Sequence, residues 1–117
     1  MGRLTTHVLD LVSGTPAAGM TIELVAFDGS VRRPVVKTTT NRDGRCDQPL
    51  LEGERFTAGV WQLEFHVAGY FAARGVPLTE PPFLDVVTIR FGVANPEQPL
   101  HVPLLVTPWS YSTYRGS

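Results

Sequence analysis

The sequence predicts an all-β protein, a two-sheet sandwich of seven or eight strands with one short helix. Eleven glycines and ten prolines divide 117 residues into short segments, which leaves little room for long helices. Most of the segments are rich in Val, Ile, Leu, Thr and Phe, the residues that suit a pleated and half-buried surface. A chain of this length has one domain's worth of sequence and buries roughly two-thirds of its unfolded surface. Residues 1–117 therefore read as a single domain around one core, with no internal repeat.

Thr5 to Leu11 is the first expected strand, ended by Ser13-Gly14-Thr15-Pro16. Met20 to Phe27 alternates, with Met20, Ile22, Leu24 and Ala26 on one side, and Asp28-Gly29 closes it with a turn. Val35 to Thr40 follows, and Asn41-Arg42-Asp43-Gly44 turns the chain again. Trp61 to Val67 is the cleanest period-2 stretch: Trp61, Leu63, Phe65 and Val67 face the core, and Gln62, Glu64 and His66 face solvent. Ala68 to Arg74 is the one helical candidate, about two turns long. After Pro81-Pro82 come Leu84 to Val93, the turn Asn95-Pro96-Glu97-Gln98-Pro99, and the last long strand, Leu100 to Val106. The last two strands are apolar on both faces. One small core covers one face, so subunit contacts are expected to cover the other.

Charge and cysteine content exclude several functions. Ten Lys plus Arg against eleven Asp plus Glu give a formal net charge of -1, with no basic run to follow a phosphate backbone. Nucleic acid and anionic membranes are poor partners for such a surface. The single cysteine, Cys46, has no internal disulfide partner, and no Cys/His spacing matches a zinc site. No apolar segment of signal-peptide type opens the sequence, and no run approaches the roughly 20 apolar residues of a membrane span. The expected location is the cytoplasm unless a targeting segment precedes this sequence.

The candidate chemistry lies near the two ends. His66 falls in the outward register of its strand and reads as a surface residue. His7 and His101 are embedded in apolar strands, where a titratable ring needs partners or loses its charge. Each alone would be a satisfied core or interface histidine. The tail Tyr111-Ser112-Thr113-Tyr114-Arg115-Gly116-Ser117 concentrates hydroxyls and a guanidinium where chains commonly fray, which points to a site rather than a mobile end. Arg45, just after a turn, stands where loops build sites, although alone it is an ordinary surface arginine.

Three blocks together resemble the 5-hydroxyisourate hydrolases, purine-degrading relatives of transthyretin. They are Leu4-Thr5-Thr6-His7-Val8-Leu9-Asp10 with Gly14-Thr15-Pro16-Ala17, Thr40-Asn41-Arg42-Asp43-Gly44-Arg45, and His101-Val102-Pro103-Leu104-Leu105 leading into Tyr-Arg-Gly-Ser at 114–117. The closing tetrapeptide is the family's most specific motif and separates the hydrolases from hormone-carrying transthyretin.

The resemblance implies a transthyretin-like sandwich assembled as a homotetramer, a dimer of dimers with sites in a channel where the dimers meet. It implies hydrolysis of 5-hydroxyisourate to 2-oxo-4-hydroxy-4-carboxy-5-ureidoimidazoline, on the way from urate to allantoin, with no cofactor and no metal. The catalytic residues it implies are His7, Arg45, His101 and Ser117, and Tyr114, Arg115 and Gly116 would bind substrate. One departure is visible: Pro99-Leu100 stands where many members have His-Tyr, which predicts altered packing or access rather than lost activity. Two other readings remain open at this stage: a non-catalytic carrier of a small aromatic ligand, and an immunoglobulin-like interaction module in which His7, Arg45 and His101 lie far apart.

Overall fold

A computed structural model describes residues 1–116 of the chain. Its strands, in chain order, are β1 (Arg3–Thr5), β2 (Val8–Asp10), β3 (Thr15–Pro16), β4 (Thr21–Asp28), β5 (Val31–Thr39) and β6 (Leu51–Glu52). A 3-10 turn at Gly53–Arg55 leads to β7 (Gly59–His66), helix α1 (Val67–Ala73), β8 (Val86–Val93), β9 (Leu100–His101), β10 (Leu104–Val106) and β11 (Tyr111–Ser112).

β5, β4, β7 and β8 form one antiparallel sheet in that order. The remaining strands pair as β6-β1-β9 and β11-β10-β2-β3. These two groups share their central chains, since β1 runs on into β2 and β9 into β10, so together they make one interrupted second layer. Leu4, Val8, Leu104 and Val106 from this layer meet Ile22, Leu24, Leu63 and Phe65 of the first in a common core. Leu63 and Leu104 are fully buried; truncating either to alanine would cost about 2–5 kcal/mol.

The two terminal strand runs lie side by side and parallel, with Thr5 opposite His101 and Val8 opposite Leu104. That pairing positions the site, because it brings together residues about 100 positions apart in sequence. Helix α1 buries Val67, Ala68, Tyr70 and Phe71, a three-and-four spacing on one face. The Tyr70 hydroxyl donates to Asp10 Oδ2 at 2.8 Å, while Asp10 Oδ1 accepts from the Val12 and Ser13 amides at 2.8 and 3.1 Å. Asp10 thus ties the helix to the end of β2.

Several boundaries differ from expectation for physical reasons. The run Thr5 to Leu11 breaks at Thr6-His7, and Leu100 to Val106 breaks at Val102-Pro103, where proline has no amide to donate. Val35 to Thr40 overlaps the end of the longer β5, which runs Val31–Thr39 and carries Pro34 on a sheet edge beside a bulge. β8 starts at Val86 rather than Leu84, and Val67 opens the helix instead of closing β7. Gln62, expected in solvent, is buried: its amide donates to Glu64 and accepts from Arg90, so charged neighbours cover it. His66 is only partly exposed, with Nε2 3.7 Å from a Glu23 oxygen. β8 does not have two apolar faces, since Val87, Ile89 and Val93 turn inward while Thr88 and Arg90 are exposed. In the other layer Leu11, Val12, Trp109 and Tyr111 are exposed apolar groups. Among the described residues no helix is long and apolar enough to cross a membrane.

Candidate active site

The first strand run alternates inward and outward. Leu4, Thr6, Val8 and Asp10 are buried, whereas Thr5, His7 and Leu9 are half-exposed on the opposite face. Thr6 satisfies its buried hydroxyl by donating to the Val102 carbonyl at 2.7 Å. Between β1 and β2, His7 pairs with Arg45 in an isolated antiparallel bridge. The backbone on both sides of that bridge is fixed: the Val8 amide donates to the Gly44 carbonyl at 2.8 Å and the Leu104 amide to the His7 carbonyl at 2.9 Å.

The turn before Arg45 explains its placement. Asn41 Oδ1 accepts from the Asp43 and Arg45 amides at 2.9 and 3.2 Å, and the Asn41 amide donates to the Arg45 carbonyl at 2.7 Å. Gly44 has φ +73° and passes so close to the Val8 carbonyl that a side chain there would collide with it. Only glycine combines that conformation with that approach. The turn is therefore built to bring Arg45 against His7.

On the other side of the first strand run, His101 Nδ1 is hydrogen-bonded to Thr5 Oγ1 at 2.9 Å. The next neighbour is the tail: the Gly116 amide donates to the His101 carbonyl at 2.8 Å, closing a second isolated bridge. Thr113 Oγ1 anchors the tail by donating to the Pro103 carbonyl at 2.7 Å. Arg45, His7, His101 and Gly116 thus follow one another across adjacent backbone segments of one sheet.

Both histidines are held below the ordinary histidine range. For His7 the causes are burial and the Arg45 charge, opposed by the Asp43 backbone and carboxylate. For His101 they are burial, Arg45 and then His7, opposed by the Thr5 backbone. One guanidinium therefore acts on both rings and favours their neutral forms, the state in which imidazole can accept a proton. Cys46 is half-buried, and burial together with Asp47 raises its thiol above the ordinary value, which disfavours the thiolate a nucleophile needs.

Of His7, Arg45 and His101, Arg45 alone lines a neighbouring concavity of about 500 Å³, whose wall also includes Arg3, Thr5, Asp47, Gln48 and Leu100. Its size suits a small bicyclic ligand. Pro99 also lines it, so the Pro99-Leu100 departure seen in the sequence sits at its wall. Tyr114 and Arg115 line a different hollow, against Ile89, Phe91 and Val102 beside β8. Ser117 lies outside the described residues. Sequence reasoning missed Thr5 and the wall at Asp47 and Gln48. Thr5 could have been found from its position two residues before His7, on the same strand face.

The two-layer sheet order, the parallel pairing of the terminal strand runs and the tail strand beside them define a transthyretin-type β-sandwich with a polar site on one outer face. The chain belongs to the HIUase/Transthyretin family, whose pattern matches residues 4–116. A 5-hydroxyisourate hydrolase of Ralstonia nicotianae is 57% identical over 117 residues, all of both chains. Among solved structures, that of Klebsiella pneumoniae 5-hydroxyisourate hydrolase superposes with a TM-score of 0.82 at 31% identity over all of both chains. The crystal structure of (S)-allantoin synthase superposes with a TM-score of 0.93 at 45% identity, covering 99% of this chain and 44% of that one.

Proposed function

We propose that the protein hydrolyses 5-hydroxyisourate to 2-oxo-4-hydroxy-4-carboxy-5-ureidoimidazoline, in urate degradation toward allantoin. The observation that carries this reading is the convergence of His7, Arg45 and His101, with Arg45 depressing the proton affinity of both rings. Ring opening by water needs a base, donors for the oxyanion that develops at the C6 amide carbon, and groups that orient a planar, oxygen-rich ring. Neutral His101 takes the proton from water, a role worth about 10²–10⁴-fold in rate. His7 is its partner and relays the proton taken up by His101 to the departing ring nitrogen, so that both rings end the cycle neutral. Arg45 offers fixed charge and paired planar donors to substrate oxygens.

Gly116 brings the tail to His101, so the tail shapes the same site. Tyr114 and Arg115, which line the hollow beside β8, would bind substrate through movement of the tail or across a subunit boundary. Ser117 would hold water or substrate at the chain end. The reading includes a single domain and a homotetramer built as a dimer of dimers. Exposed Leu11, Val12, Trp109 and Tyr111 support this assembly, because isolated chains seldom leave so much apolar surface in water. The expected setting is the cytoplasm.

The test is the decay of 5-hydroxyisourate, generated in place by urate oxidase and followed by ultraviolet absorbance, with wild type and His101→Ala in parallel. Acceleration by wild type alone supports the reading. No acceleration by folded, tetrameric wild type would make a ligand carrier of the transthyretin kind the better description.

A further inference from the structure

A neutral imidazole acts as a base at one nitrogen only, and the proton on the other nitrogen decides which one. In His101 the nitrogen Nδ1 faces Thr5, with Thr5 Oγ1 at 2.9 Å. Thr5 is the register partner of His101 in the parallel β1/β9 pair, and its carbonyl accepts from the Val102 amide at 2.9 Å, so its backbone does not drift relative to the ring. Gly116 closes the opposite side, where a Cβ would stand only 2.9 Å from His101 Cδ2. Threonine and glycine thus flank the imidazole on both sides.

Resting on the hydrolytic reading above, we propose that Thr5 is a positioning residue for that reaction: it holds the proton of neutral His101 on Nδ1 and thereby presents Nε2 as the base. A hydroxyl can donate or accept, so geometry at Oγ1 alone would permit either tautomer. The hydrolytic role selects between them: Nδ1 is taken up by Thr5, so Nε2 is the nitrogen left to act as base, and a bare Nε2 in the neutral ring requires the proton on Nδ1. Thr5 is half-exposed in a short strand. Isosteric valine keeps the shape of the side chain and removes only the hydroxyl, so it isolates the contact with His101.

The experiment compares wild type, Thr5→Val and Thr5→Ser by ring ¹⁵N chemical shifts of His101 at a pH where the ring is neutral, and by kcat/KM for 5-hydroxyisourate. In wild type and Thr5→Ser, Nδ1 should resonate as the protonated nitrogen and Nε2 as the bare one. In Thr5→Val the shifts should move toward a tautomer mixture, and kcat/KM should fall roughly ten- to hundredfold, the range typical when a group orienting a functional histidine is lost. Wild-type His101 with its proton on Nε2, or Thr5→Val matching wild type in both shifts and turnover, would overturn the proposal. Should wild type lack turnover altogether, the hydrolytic reading fails and with it the catalytic role, while the shifts still report whether Thr5 selects the tautomer.

Discussion

Gly116 lies directly against the His101 imidazole: its amide donates to the His101 carbonyl at 2.8 Å, and a Cβ in its place would come within 2.9 Å of the ring. The tail therefore packs on the His101 ring. Gly116→Ala should displace the ring and lower kcat/KM about 100-fold, the scale of a misplacement near 1 Å. The melting temperature should hardly change, because the bridge lies at an edge. Circular dichroism melts alongside kinetics would check both halves. Normal turnover with a confirmed alanine would detach the tail from the mechanism.

Arg45 should govern the pH dependence. Burial and Arg45 lower the proton affinity of His7 and His101, so the acid limb of kcat/KM should have its midpoint below the ordinary histidine value of about 6.5. In Arg45→Gln, the NMR titration midpoints of both rings should rise. The same shift has a consequence for folding. As pH falls through about 6.5 the unfolded chain takes up protons that the native rings refuse, so stability declines on acidification. Unchanged ring titrations in Arg45→Gln would show that the guanidinium does not act on them.

Gly44 should be intolerant of substitution. Its φ of +73° and its contact with the Val8 carbonyl mean that Gly44→Ala pays twice, in backbone strain and in steric conflict. A loss of about 1–3 kcal/mol is expected from the strain alone. Because the turn carries Arg45, kcat/KM should fall as well. Urea denaturation and kinetics on one preparation would test both, and a variant as stable as wild type would count against the turn geometry.

The buried Asp10 should stabilise the fold as a carboxylate. Burial pushes its proton affinity up, but hydrogen bonds from Ser13, Tyr70 and Val12 outweigh this and leave the carboxyl below its usual range. Burial, and after it the same contact with Asp10, push Tyr70 up to about 12. Asp10→Ala strands the Tyr70 hydroxyl and two amides, so it should cost about 3 kcal/mol. In wild type the Asp10 contribution is present above the unfolded carboxylate value of about 3.9 and is lost as pH falls through the lower folded value. Denaturation curves at stepwise lower pH should therefore converge for wild type and Asp10→Ala.

The sequence revealed most where a side chain's role follows from its own strand. The alternation from Trp61 to Val67 predicts β7, and the buried Trp61, Leu63 and Phe65 agree with it, while Val67 falls in the helix. Gln62 escaped because burial there comes from Arg90 and Glu64 on neighbouring strands, which period 2 does not register. The prominence of His7 and His101 was legible from polar rings in apolar runs. Their adjacency was not, since it depends on the parallel pairing of the terminal strand runs. Thr5 looks like any β-former until His101 is laid beside it. The pocket wall from Cys46 to Leu50 has no period to read, because that segment is held by tertiary contacts rather than by regular structure.

In the proposed mechanism His7 and His101 act as one unit under Arg45. The most direct test is a double-mutant cycle in kcat/KM for 5-hydroxyisourate with His7→Ala, His101→Ala and the double variant. Groups that work as a unit are strongly non-additive, so each single variant should lose about 10²-fold or more and the double variant little beyond the worse single. Two losses that simply add, or a folded single variant with wild-type turnover, would show that the two histidines do not work as a unit.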